Sequence, residues 1–190
     1  MLPVFFPSLP LLLMPLHIVF MELIIDPVCS IAFESEQEES GIMSRPPRDP
    51  NEQFFGRRKI LLSLLSGCLL LAMVIIVYVI SVHEGHSEGA VRAIAFISLI
   101  LGNVFLALTD LSKTRSFFSV FTEKNLPAII ILIIAMIMLV LVVSVPALQR
   151  IFSFQFPGYK HFVPPLIGAT VVLAILEGTK YFNIKRVVRK

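Results

Sequence analysis

Cysteine is scarce in this chain of 190 residues, and the two present, Cys29 and Cys68, both lie inside apolar blocks. They read as small buried hydrophobes, and no disulfide framework is implied. Neither G-x-x-x-x-G-K-[ST] nor G-x-G-x-x-G occurs, so the sequence offers no nucleotide site. Charge is thin at 15% and is missing altogether from residues 127–148, PAIIILIIAMIMLVLVVSVPAL. A soluble helix so long and so uniformly apolar would be unusual. The opening MLPVFFPSLPLLLMP lacks the basic n-region and small-residue cleavage site of a signal peptide. Pro3, Pro7, Pro10 and Pro15 also break any continuous helix there. No internal repeat or low-complexity tract is present.

What the sequence does have is apolar surface. Hydrophobic residues make up 56% of the chain and the mean hydropathy is +0.88, against roughly 45–50% apolar in soluble domains. The excess falls in five blocks, at 16–33, 60–82, 92–111, 127–148 and 163–182. Each approaches the roughly 20 residues needed to cross about 30 Å of hydrocarbon. The predicted fold class is all-α, a polytopic transmembrane bundle of about five spanning helices preceded by a short broken segment at 1–15. The first full span is 16–33, a polar loop follows at 34–59, a four-helix membrane bundle occupies 60–182, and a basic tail closes the chain at 183–190.

The basic residues orient this bundle. Arg45, Arg48, Arg57, Arg58, Lys59, Lys113, Arg115, Lys124, Lys180, Lys185, Arg186, Arg189 and Lys190 flank the spans on one side, 13 of the 16 Lys and Arg. Only Arg92, Arg150 and Lys160 fall on the other side. Flanking basic residues stay cytoplasmic. The expected topology therefore has the N-terminus outside and the C-terminus in the cytoplasm. The pI near 9.0 follows from this asymmetry, and the partner it implies is a lipid bilayer rather than nucleic acid. In the outer loop at 149–161, Phe152, Phe154 and Phe156 are expected to anchor hydrophobically, and Tyr159 to sit at the interface.

Chemistry concentrates in HIVFMELIIDPVCSIAFE, residues 17–34. Glu22 and Asp26 are four apart and share a helix face. A charge at bilayer centre costs about 2.5–3.5 kcal/mol on insertion scales, so such residues usually face a bundle interior and mark an ion or proton path. Pro27 disfavours α geometry at Asp26 and removes a backbone donor. The expectation is an unwound turn whose freed carbonyls join the carboxylates around a hard cation. Measured from Leu16, Asp26 lies about 15 Å deep, and Asn103 lies about 16 Å in from Arg92. Asn103 could therefore add a neutral oxygen at the same level. The bland alternative makes Glu22, Asp26 and Asn103 neutral hydrogen-bonding groups between helices. His17 reads as a boundary residue, Asp110 as solvated, and Glu177 with Lys180 as a helix pair. The run with His83, Glu84, His86 and Glu88 lacks H-E-x-x-H spacing and reads as an exposed turn rather than a metal site.

The runs P-L-H-I-V-F-M-E-L-I-I-D-P (15–27), F-E (33–34) and M-S-R-P-P-R-D-P (43–50) resemble the sixth membrane helix and following cytoplasmic loop of P-type cation ATPases. The R-P-P-R-D-P run is the most specific piece. L-A-L-T-D-L-S (106–112) resembles the end of the eighth helix, and L-E-G-T-K (176–180) the end of the tenth, so the resemblance covers essentially the whole chain. It implies that Glu22, Asp26 and Asn103 are cation ligands. Ile25 has no side-chain oxygen where calcium pumps usually have threonine. Carboxylates at both Glu22 and Asp26 look more like sodium/potassium- or proton/potassium-exchanging relatives. The transported cation is thus calcium, sodium, potassium or a proton. No D-K-T-G-T phosphorylation motif is present, and Met1 falls within what would be the end of the fifth helix. The resemblance implies a C-terminal transmembrane ion-transport region that cannot hydrolyse ATP alone. Its expected partner is the pump's N-terminal half, with the catalytic domains and helices one to five, and the plasma membrane is its expected location. The alternatives are a stand-alone membrane protein that regulates or scaffolds a pump, and a secondary cation transporter.

Overall fold

The computed structural model describes residues 12–34, 43, 56–111 and 126–188. The expected remnant before residue 12, most of the loops at 34–59 and 112–126, and the last two residues lie outside them. Side chains beyond Thr179, Lys180 included, are likewise outside the description.

All regular structure among the described residues is helical, as expected of chains that must satisfy every backbone group internally in lipid. In chain order the helices are α1 (Pro15–Glu34), α2 (Arg57–His83), α3 (Glu88–Leu111), α4 (Leu126–Ser144), α5 (Pro146–Phe152) and α6 (Val163–Val188). A 3-10 turn at Tyr159–Phe162 leads into α6. The segments Ile60–His83, Glu88–Asp110 and Tyr159–Thr179 are long and apolar enough to cross a membrane, and α4 with α5 forms a fourth, bent candidate. The 20-residue α1, with its two carboxylates, is outside that count. Together they make a multi-pass integral membrane bundle.

α3 is the central post, packed by α1, α2 and α6 and more lightly by α4. Its Val91, Ala93, Ile94, Ala95, Phe96, Ile97 and Ile100 are fully buried, whereas α2, α4 and α6 turn Leu61, Leu71, Ile76, Ile133, Ile137, Ile167 and Val171 outward. Exposed leucine and isoleucine of this kind suit lipid. α2 and α6 come close to α3 and to each other through small residues. A Cβ at Gly102 would meet Leu70 and Met73, and one at Gly168 would meet Met73 at 2.8 Å. Close helix approach through glycine is a membrane packing device. Buried hydroxyls are satisfied within their own helices: Ser81 Oγ donates to the Val77 carbonyl, Ser98 Oγ to Ile94 and Thr109 Oγ1 to Phe105, each at 2.8 Å.

Two expectations need correction. The block at 127–148 is not one straight span. Its helix ends at Ser144, and α5 departs from it at 85°. Pro146 is the cause. It excludes Val145 from helical geometry, leaving φ −81° and ψ 120°, and takes the first helical position of α5, where no amide donor is needed. The side-chain Nε2 of Gln149 donates to the Val143 carbonyl at 2.6 Å, capping a group left free by the break. The second correction concerns Pro27, which lies inside a continuous α1, so the expected unwound turn at Asp26 is not formed. Loss of one donor did not unwind the helix, because α1 is packed along one side by α3 and α4.

Candidate functional site

α1 has two unlike faces. Ile24 is buried in the core, with Phe20, Met21 and Ile25 partly buried beside it. The opposite side carries Val19, Glu22, Leu23, Asp26 and Ser30, all exposed. These positions follow the i, i+3, i+4, i+7 rhythm of a single stripe. The expected side-sharing of Glu22 and Asp26 is therefore present, but the stripe faces away from this bundle. Among the described residues no side-chain hydrogen bond or ion pair joins either carboxylate to another group.

Asn103 sits on α3, half-buried, and its Nδ2 donates to the Leu99 carbonyl at 2.9 Å. It does not bond to Glu22 or Asp26. Their relative level can be read from ring contacts nearer the helix starts. The rings of His17 and Phe20 lie 5.7 and 6.2 Å from that of Phe96. Seven residues further along two helices running the same way, residues 24–27 come level with Asn103. Asp110, beyond that level, is exposed near the end of α3.

The most fully built polar site lies at the beginning of α1, where the sequence suggested only a boundary residue. His17 is completely buried. Its Nδ1 accepts from the Met14 amide at 3.1 Å, and its Nε2 lies 2.7 Å from the Phe152 carbonyl. With Nδ1 accepting, Nε2 carries the proton and donates, so the ring is neutral and its tautomer is set by its neighbours. The imidazole stacks on Phe154 at 4.6 Å and on Phe152 at 6.0 Å. Phe152 and Phe154 are thus not outward anchors: both are buried, forming an aromatic cap with Phe96 and Phe20. Tyr159 does project from the surface as expected. The 152–155 segment is held from two further sides. Arg92 Nη1 donates to the Ser153 carbonyl at 3.2 Å while Nη2 pairs with Glu88 at 2.8 Å, and the Ser87 hydroxyl donates to Gln155. Ser153 itself adopts φ 51° to end α5.

At the same end, Glu84, His86 and His161 each place one ligand-type atom within 4.8 Å of the others. His161 was missed because it is 75 residues from His86 and has no local motif around it; only the fold brings them together.

Residues 10–182 match the protein family described as "Cation transporting ATPase, C-terminus". The chain is 30% identical over 146 residues to a calcium-transporting ATPase of Bacillus subtilis (strain 168), covering 76% of this chain and 16% of that protein. It is 25% identical over 173 residues to calcium-transporting ATPase 1 of Schizosaccharomyces pombe, covering 90% and 19%. It is 23% identical over 168 residues to calcium-transporting ATPase 1 of Yarrowia lipolytica, covering 88% and 18%. The chain thus spans less than a fifth of the length of each of these relatives.

Proposed function

The chain belongs to the family of cation-transporting ATPase C-terminal regions, and on that premise we propose that it supplies one wall of a pump's cation site through Glu22, Asp26 and Asn103. The carrying observation is the stripe on α1: two carboxylates four residues apart on an uncovered side of a membrane helix, with Asp26 at the level of Asn103 on the neighbouring post. Two charges facing hydrocarbon would each cost about 2.5–3.5 kcal/mol on insertion scales. The bundle gives them no partner of its own among the described residues. Their coordination is completed by helices of the same pump outside these residues, which cover the Val19–Glu22–Asp26 stripe.

Carboxylate oxygens with one amide oxygen suit a hard cation. The calcium-transporting relatives favour calcium as cargo, with sodium, potassium or a proton as the competing choices that Glu22 and Ile25 keep open. Without a nucleotide motif, the chain contributes ion coordination and the supporting bundle, not hydrolysis. The outer end is the one bearing His17 and Phe152, the opposite end is cytoplasmic, and the membrane is the plasma membrane. The charge asymmetry supports that orientation.

A chimera tests this. The corresponding C-terminal region of the Bacillus relative is replaced by this chain, and ATP-driven calcium uptake is measured in vesicles beside phosphoenzyme formation. Uptake should be supported by the chimera and abolished in Glu22→Ala and Asp26→Ala. A chimera that transports equally well without both carboxylates would refute the assignment. So would ATP-independent ion flux through this chain alone in liposomes.

A further inference from the structure

We propose that Glu84, His86 and His161 form a binding site for a zinc-like divalent metal at the end of the bundle that carries His17, tying the α2–α3 turn to the start of α6. This site is separate from the carboxylates of α1 and does not depend on the transport reading. Three observations support it. One ligand-type atom from each residue lies within 4.8 Å of the other two. Ligands at about 2.0–2.1 Å from a tetrahedral zinc are about 3.4 Å apart, so the group has to contract by no more than about 1.4 Å per pair to close on an ion. The second observation is an unmet need for partners: His86 Nε2 and His161 Nδ1 are both sealed from solvent with no hydrogen bond. His86 Nε2 lies 3.2 Å from Glu84 Oε2, within ion-pair distance but with no hydrogen bond between them. Buried imidazole nitrogens without partners are uncommon and call for an explanation. The third is the chemistry of the set. Two neutral imidazoles and one carboxylate are a first-row transition-metal donor set with a strong preference for zinc over calcium or magnesium, which favour all-oxygen shells.

Local backbone geometry presents these groups together. Gly85, between Glu84 and His86, adopts φ 75°, and Gly158, which caps the 3-10 turn carrying His161, adopts φ 89°. Both values are readily taken only by glycine. The two rings meet edge-on, with centroids 4.3 Å apart and planes at 88°. A fourth coordination position is left for water. Bound metal would join residues 84–86 to residue 161, and so lock the ends of α2 and α6 together around α3.

The test uses the whole chain in nanodiscs, with any polyhistidine tag removed and metal stripped by chelator, titrated with Zn²⁺ alone and with Co²⁺ as a spectroscopic probe. One saturable equivalent is expected, with visible cobalt absorption from a low-symmetry site. His86→Ala and His161→Ala should each weaken zinc binding by more than about 100-fold, beyond the loss typical of an outer-shell partner. His83→Ala, an exposed histidine outside the group, should bind as wild type. The half-exposed Glu84 supplies a variant, Glu84→Gln, that cannot be dismissed as a folding defect, and it should lower affinity at least about tenfold. Absence of a saturable equivalent at micromolar zinc overturns the proposal. Equal binding by wild type and Glu84→Gln, or by the double variant at His86 and His161, overturns it as well.

Discussion

Replacing His17 by leucine keeps the volume of a buried side chain but deletes both of its hydrogen bonds. The Phe152 carbonyl, now accepting at 2.7 Å in a fully buried setting, would be left without its donor. A stranded buried polar group costs about 1–3 kcal/mol. The part-buried Met14 amide, at 3.1 Å, adds roughly 0.5–1.5 kcal/mol. Loss of stacking on Phe154 contributes about 0.5–1.5 kcal/mol more. These effects share one ring and are not independent, so the expected net loss is about 2–4 kcal/mol rather than their sum. For a chain of this size about 1 kcal/mol shifts Tm by roughly 2–4 °C, giving an expected fall of about 5–15 °C in detergent. Hydrogen exchange should show where the damage lies: amides at 152–155 should lose protection before those of α3, because the segment would keep only its local backbone bonds and the contacts from Arg92 and Ser87. A His17→Leu protein that melts within a degree or two of wild type, with unchanged exchange at 152–155, would refute the view that His17 fastens α1 to α5.

Three further outcomes are expected. Gly89→Ala should be destabilising despite better helix propensity, since its Cβ would lie 3.0 Å from the Gln155 Cβ and 3.1 Å from the Gln155 backbone nitrogen; a thermal melt reads it. Gly67→Ala meets nothing within 4 Å and should stabilise by about 0.5–1 kcal/mol, the helix-propensity gain alone, so the two alanines should move Tm in opposite directions. Pro146→Ala restores a donor and permits helical geometry at Val145. The α4–α5 angle should open from 85° toward a straight helix, visible as a longer distance between spin labels at the exposed positions 130 and 151.

The sequence makes visible whatever depends on local composition. Long apolar runs marked the helices at 57–83, 88–111 and 163–188 because lipid imposes a length and forbids charge. The common stripe of Glu22 and Asp26 was legible from spacing alone, and the level of Asp26 with Asn103 from the rise per residue. Non-local pairings were not legible. Nothing near His17 announces that a carbonyl 135 positions later will receive its proton. Phe152 and Phe154 resembled interfacial anchors because their burial depends on α1 and α3 closing over them. His161 had no neighbours in sequence to suggest a donor set. Proline was misjudged in both directions. Pro146 bends the chain sharply because it also excludes Val145 from helical geometry, while Pro27 is absorbed in a helix packed by two others.

The break at Val145 also fixes where α4 stops. α4 has 19 residues before its axis turns aside, a reach of about 28 Å at 1.5 Å per residue. A helix that cannot be extended past Ser144 gauges the bilayer around it from that end. Thin membranes near 27 Å of hydrocarbon match it, whereas sterol-rich ones of about 32–33 Å must dimple or expose polar backbone beside α5, at fractions of a kcal/mol per Å of misfit. The span Ile60–His83, at 24 residues, can tilt to suit either thickness. Lipid composition would then be felt unequally around the circumference, pressing on the α4 flank of the bundle and leaving the α2 flank indifferent.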